Sequence, residues 1–252
     1  MTGLDSLNLS GKRAVIIGAG RGIGRAVAEL LATRGADVVL LARSRAELQE
    51  VAAGIIAAGG GAEVITTDVV DDVSLIGAFE EIGDADILVN SAGTNRPRSF
   101  VDVTADDLDT LIGLNLRAVF RASQLFVQQA LRRQAPGVIV NVSSQMGHVG
   151  APDRTLYCAT KHAVEGMTKA LAVELAPQGI RVVSVAPTFV ETAMTRPFLT
   201  DPAGSTALLS KLPIGRFGTV AEVAEVVAFL SSPAAGLVTG SSVLADGGWV
   251  AQ

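Results

Sequence analysis

Tyr157 and Lys161 are a pair whose types and spacing could do chemistry in this 252-residue chain. They stand four apart in a stretch of helical periodicity, so their side chains project from one helix face. A free tyrosine hydroxyl has a pKa of ~10, too high to exchange protons readily near neutrality, and a neighbouring ammonium favours the phenolate. The pair can therefore serve as an acid and base. A second feature is Gly18-Ala-Gly-Arg-Gly-Ile-Gly24. A loop without bulky side chains lets phosphate oxygens approach backbone N–H groups at the start of a helix. The GxGxxG spacing is not met, because Ile23 stands where a third glycine is needed, and the loop alone also fits a plain tight turn. His148 and His162 show no metal-ligand spacing, and with Cys158 the only cysteine there is no Cys/His cluster for zinc.

The elements that must position these residues follow from periodicity. The β-branched run Arg13–Ile17 enters the glycine loop, and apolar residues then recur at helical spacing over Ile23–Arg34 until Gly35. Further strands are predicted at Val38–Leu41, Glu63–Thr66, Ile87–Asn90, Val138–Val142, Arg181–Ala186 and Ser242–Ala245. Helices are predicted at Ala46–Ala58, Val73–Ile82, Ala105–Arg133, Leu156–Ala176 and Val220–Leu230. Seven strands alternating with helices call for an α/β fold, a parallel, doubly wound, Rossmann-type sheet covered by helices on both faces. The length and 49% apolar residues suit one domain spanning residues 1–252. Segment 188–218, with Pro197, Pro202 and Pro213, reads as a substrate lid.

A net charge of −5 argues against nucleic acid or an anionic membrane as partner. No apolar run reaches the ~18 residues of a membrane-spanning helix. A lone cysteine and the lack of a charged-then-apolar stretch after Met1 make the cytoplasm the expected location.

The spacing that is met, Gly18-xxx-Gly22-x-Gly24, resembles the short-chain dehydrogenase/reductase family. So do Asp68-Val69 after the third strand, Asn90-Ser-Ala92-Gly93 after the fourth, Asn115 in the long helix and Ser144 thirteen residues before Tyr157. Tyr157-Cys-Ala-Thr-Lys161 supplies the YxxxK motif, Pro187-Thr-Phe-Val190-Glu-Thr192 resembles the nicotinamide-binding segment, and Asp246-Gly-Gly248 the closing motif. Three positions depart from the pattern: Ile17 replaces a threonine, Ser91 an asparagine and Thr188 a glycine. None is a catalytic position.

This resemblance implies hydride transfer between a nicotinamide cofactor and a small carbonyl or alcohol. Tyr157 would be the acid/base, Ser144 would hold the carbonyl oxygen, Lys161 would steady the nicotinamide ribose, and Asn115 would position a water linking Lys161 to solvent. Gly18, Gly20, Arg21, Gly22, Ile23, Asp68, Val69, Asn90, Ala92, Gly93, Pro187, Val190 and Thr192 would bind the cofactor with Tyr157 and Lys161. Where many NAD-preferring relatives carry an acidic residue, Ala42 stands here, followed by Arg43 and Ser44. With Arg21 these favour NADP(H) over NAD(H), because two guanidiniums could clamp a 2′-phosphate. Arg96, Gln145, His148, Arg154, Phe189 and Met194 are the candidate substrate residues, the arginines suiting an anionic group.

The rival readings are an NAD-dependent sugar or polyol dehydrogenase, a 3-oxoacyl-carrier-protein reductase and a non-catalytic nucleotide-sensing protein. Helix Leu111–Leu131 is apolar on more than one face. That width, with the resemblance, suggests a homotetramer.

Overall fold

The computed structural model describes residues 5–193, 195–196, 200 and 202–252. Seven strands, β1 (Arg13–Ile17), β2 (Asp37–Ala42), β3 (Ala62–Thr66), β4 (Ile87–Asn90), β5 (Gly137–Val142), β6 (Ile180–Pro187) and β7 (Ser242–Ala245), form one sheet. Its order is β3-β2-β1-β4-β5-β6-β7 and every pairing is parallel. The chain steps outward from β1 to β3, then returns to the other side of β1 to begin β4. The order therefore reverses at the β1/β4 boundary, which opens a crevice at the C-terminal ends of those strands.

Alternate strand residues feed two apolar cores. Ala14, Ile16, Val38 and Leu40 face α1 (Gly22–Thr33), α2 (Arg45–Ala57) and α8 (Val220–Ser231). Val15, Ile17, Val39 and Leu41 face α3 (Asp72–Ile82), α5 (Ala118–Arg133) and α6 (Thr155–Leu175). Burial on both faces is why these strands are apolar runs rather than alternating ones. Helix starts are set by capping: Ser44 accepts from the Glu47 N–H, Asp71 from the Ser74 N–H, and Thr104 and Thr219 form reciprocal boxes with Asp107 and Glu222.

Two local features depart from the periodicity. The expected helix 105–133 is continuous, but α4 (Ala105–Ile112) joins α5 through a π turn, Gly113–Arg117, in which the Ala118 N–H reaches the Gly113 carbonyl. Segment 188–218, expected to be a lid with no helix assigned to it, contains α7 (Pro202–Leu209). Its two ends are tied together by a parallel bridge between Val190 and Gly218, where the Gly218 N–H donates to the Phe189 carbonyl at 3.1 Å. No helix among the described residues is long and apolar enough to cross a membrane.

Candidate active site

α6 starts beside the pocket because Asp153 takes a left-handed turn (φ 57°), a conformation that a short polar side chain tolerates. The Asp153 carbonyl accepts from the Arg98 N–H at 3.1 Å, which ties the start of α6 to the loop after β4. Tyr157 lies in the first turn of α6 and Lys161 in the second, with the Lys161 Nζ 5.7 Å from the centre of the Tyr157 ring. That nitrogen donates to the Val142 carbonyl at 2.9 Å. Ser144 has just left β5, and its oxygen accepts from the Met146 N–H at 3.1 Å, which fixes the hydroxyl in place. Burial raises the Tyr157 phenol's pKa above its ordinary value, and the neighbouring Ser144 hydroxyl opposes this. Burial also brings the Lys161 ammonium down to about 8, against a smaller opposite pull from Glu165. The structure thus brings Ser144, Tyr157 and Lys161 together.

Asn115, fully buried, sits in the π turn, where the widened helix aims its amide at the loop after β4. Its oxygen accepts from the Thr94 N–H and its nitrogen donates to the Thr94 carbonyl, both at 2.9 Å, with Thr160 Oγ1 at 3.3 Å. A side chain on Gly93 would come within 3.4 Å of the Asn115 oxygen and 3.8 Å of the Lys161 Nζ. Gly93 is therefore the open floor between the two.

The glycine loop lies over the C-terminal ends of β1 and β4. The Gly18 N–H bonds the Leu41 carbonyl at 2.7 Å, and at φ 83° a Cβ on Gly18 would stand 2.8 Å from the Ala92 nitrogen. Only glycine allows that approach. A Cβ on Gly22 would meet Thr192 at 3.5 Å, so the Pro187–Thr192 stretch arches over the same loop. α1 begins with no side-chain cap and no acidic residue in its first turn, which leaves N–H groups directed at the crevice. These features fit the pyrophosphate of a dinucleotide.

Arg21 and Arg43 are exposed, and neither forms an ion pair among the described residues. Ser44 uses its oxygen to cap α2. The Asp68 carboxylate accepts from the Val70 N–H at 3.1 Å, which shapes the turn after β3, while Val69 is buried. The Asn90 amide nitrogen donates to Asn141 at 2.8 Å and to Ser123 at 3.2 Å, bracing β4 against β5.

Beyond Ser144 and Tyr157 is a pocket of about 70 Å³ lined also by Asn95, Gln145, Met146, Arg154, Thr188, Phe189 and Thr195. A larger hollow of about 430 Å³ lies at the opposite end of the sheet, around Lys12, Asp86 and Arg181, far from this chemistry. Gln145, Arg154 and Phe189 thus line the pocket beside Ser144 and Tyr157. Phe189 is tilted against Trp249, with ring centres 5.7 Å apart.

Two substrate candidates are corrected. Arg96 is ion-paired with Asp106 at 2.5 Å and Asp107 at 3.2 Å, because the capped start of α4 presents both carboxylates to it. His148 turns its Nε2 to Ser242 Oγ at 2.9 Å, toward the buried Glu165. Neither lines the pocket. Met194 lies outside the described residues, as does Phe198.

Sequence reasoning missed Glu47, whose carboxylate would lie 2.8 Å from a Cβ on Gly20, and Asn95 and Thr188 in the pocket. Only Glu47 had a signal, three residues after the capping Ser44.

Known proteins resemble this chain along nearly its whole length. A family model described as enoyl-(acyl carrier protein) reductase matches residues 18–250. L-xylulose reductase of Bos taurus is 40% identical over 245 residues, covering 97% of this chain and 99% of that protein. The 3-oxoacyl-(acyl-carrier-protein) reductase of Vibrio harveyi is 39% identical over 243 residues, covering 96% and 98%. A solved gluconate 5-dehydrogenase from Burkholderia cenocepacia, in complex with NADP and tartrate, superposes with a TM-score of 0.95 at 34% identity and covers 99% of both chains. With the match running from the glycine loop to the closing Asp246-Gly-Gly turn, the chain belongs to the short-chain dehydrogenase/reductase family.

Proposed function

We propose that this chain is an NADP(H)-dependent oxidoreductase that interconverts a small polyhydroxylated carbonyl compound and its alcohol. One observation carries the substrate class. Beside Ser144 and Tyr157, both amide atoms of Gln145 (1% exposed), Asn95 Oδ1 and Thr188 Oγ1 are buried without a hydrogen-bond partner among the described residues. Buried polar atoms are normally paired, so a pocket with four unpaired ones suits a ligand bearing several hydroxyls. Two relatives act on such compounds by name, L-xylulose reductase and gluconate 5-dehydrogenase.

When bound, the nicotinamide supplies the hydride in reduction and accepts it in oxidation. The chain's own residues do the rest. The Tyr157 phenol gives its proton to the carbonyl oxygen in reduction and takes one back in oxidation. Ser144, held by the Met146 N–H, donates to the same oxygen. Lys161 places an ammonium beside the phenol and would hold the cofactor's ribose, and Asn115 locks the Gly93-Thr94 backbone beside Lys161. Gly18, Gly20, Gly22, Ile23 and Ala92 would hold the pyrophosphate, and Pro187, Val190 and Thr192 the nicotinamide. Arg21 and Arg43, unpaired among the described residues, are the cations for a 2′-phosphate.

Arg154 gives the pocket a positive charge suited to an anionic substrate, since arginine stays charged even where burial lowers its pKa. The relative solved with NADP supports the cofactor reading. Segment 188–218 would act as the lid, with Phe189 over the substrate.

The chain would assemble with copies of itself. Leu108, Ile112, Phe120 and Leu131 are each more than 40% exposed on the outer face of α4 and α5. The test of the function is a panel assayed with NADPH and NADH: ketoses, their sugar-acid counterparts and a 3-oxoacyl thioester. The expected order is polyhydroxylated carbonyls with NADPH first, sugar acids above their neutral counterparts. Preference for the thioester would overturn the substrate class.

A further inference from the structure

Behind the catalytic pair lies a buried acid that the chemistry above does not use. Glu165 is 5% exposed and stands one helical turn after Lys161, itself 5% exposed, so both belong to the buried face of α6. A carboxylate taken out of water is costly unless it is paired and hydrogen-bonded. Glu165 has both. Its Oε2 accepts from Ser184 Oγ of β6 at 2.7 Å, and its Oε1 from Ser242 Oγ of β7 at 3.1 Å. Because the Ser242 hydrogen goes to the carboxylate, the His148 Nε2 at 2.9 Å must be the donor to Ser242, with Glu165 Oε1 a further 3.4 Å neighbour. The charged or titratable groups facing Glu165 among the described residues are thus Lys161 from its own helix and His148 from the turn after β5. β6 and β7 contribute neutral hydroxyls. His162 is turned to the Cys158 carbonyl.

Glu165 also touches the turn that begins at Ser144. A Cβ on Gly147 would meet the Glu165 Cγ at 3.0 Å and the Lys161 carbonyl at 3.1 Å. The Gln145–Gly147 turn therefore rests directly on the stretch of α6 between the two ionisable groups.

We propose that Glu165 is a positioning residue for the reaction: it is the buried counter-charge that keeps Lys161 an ammonium, and so sets the alkaline limit of carbonyl reduction. The inference rests on the reading of Tyr157 and Lys161 given above. Burial alone would strip the proton from Lys161 well below the ordinary lysine range, and Glu165 opposes this. The Tyr157 phenol is raised instead, so Lys161 titrates first as pH rises. Removing the negative charge makes the ammonium less favourable, and the Lys161 pKa must fall.

The experiment is the pH profile of kcat for NADPH-driven reduction between pH 6 and 10, for the wild type, Glu165→Gln, Glu165→Asp and Ser184→Ala. Glu165→Gln should move the alkaline limb down by about one to two pH units, the effect of one charge at helical i,i+4 distance in a partly polar interior. Glu165→Asp should restore most of the wild-type profile. Should Glu165→Gln not fold, Ser184→Ala, which withdraws one hydrogen bond from the anion, should move the limb the same way by less. A limb that stays in place, whether rates are unchanged or uniformly reduced, overturns the proposal. Tyr157→Phe separates the two levels. If it keeps its turnover, the reading of the site fails. If it is inactive while the Glu165→Gln limb is unmoved, only the role of Glu165 fails.

Discussion

Replacing Gln145 by methionine should make the protein more stable and less active at once. The side chain is 1% exposed, and its oxygen and nitrogen both lack partners among the described residues. Each buried unpaired polar atom costs ~1–3 kcal/mol. Methionine keeps the length and flexibility of glutamine without the polar atoms. The backbone bonds that Gln145 makes, its carbonyl to the His148 and Val149 N–H groups, are untouched. A gain of at least about 1 kcal/mol is expected, a rise in Tm of roughly 2–4 °C for a domain of this size. The bound substrate loses one or two hydrogen bonds, about 1–3 kcal/mol in all, which is roughly 5- to 150-fold in kcat/KM. The loss should fall on polyhydroxylated carbonyls and spare a simple aliphatic ketone. Calorimetry and initial rates on both substrates read the result. A variant that is less stable, or that loses activity equally on both substrates, would refute the reasoning that these atoms are reserved for substrate hydroxyls.

Arg43→Ala should weaken NADPH binding by about 1–3 kcal/mol, the range for a charge-assisted hydrogen bond, and leave NADH binding nearly unchanged in a fluorescence titration. Equal losses for the two cofactors would show that Arg43 does not read the 2′-phosphate. Light scattering at micromolar concentration should give the mass of a tetramer, and Phe120→Asp, on the exposed face of α5, should lower it. A monomeric mass for the wild type would remove the assembly.

The inner strands were readable because a parallel strand buried on both faces must be an apolar run, and Ala14–Ile17 and Val38–Leu41 are such runs, whereas the edge strands β3 and β7 are only partly buried and were placed by their alternation with helices. α7 was not: Pro202-Ala-Gly-Ser-Thr-Ala-Leu-Leu209 has small residues and no apolar stripe. Tyr157 and Lys161 could be found from their helical spacing, while Ser144 and Asn115 were legible only through the family resemblance. The substrate side was only half legible. Gln145, Arg154 and Phe189 reach the pocket, whereas Arg96 and His148 do not, because side-chain direction depends on partners distant in sequence. Arg96 is drawn to Asp106 and Asp107 across the pocket rim, and His148 to Ser242 and Glu165. No local pattern announces such pairs. Asn95 and Thr188 matter through what they lack, which only three dimensions reveal.

The π turn at Gly113–Arg117 is an α-helix with one residue too many. Length changes inside a helix normally rotate everything downstream by ~100° and trade core positions for surface ones. Here a single-residue deletion has the opposite character. Closing the wide turn into a regular one would leave Leu111 on one side and Phe126 on the other in their places. What would disappear is the local bulge that turns the Asn115 amide onto Thr94. The surplus residue is therefore a spacer belonging to the site and not to the scaffold, so that the two can be uncoupled by removing one codon.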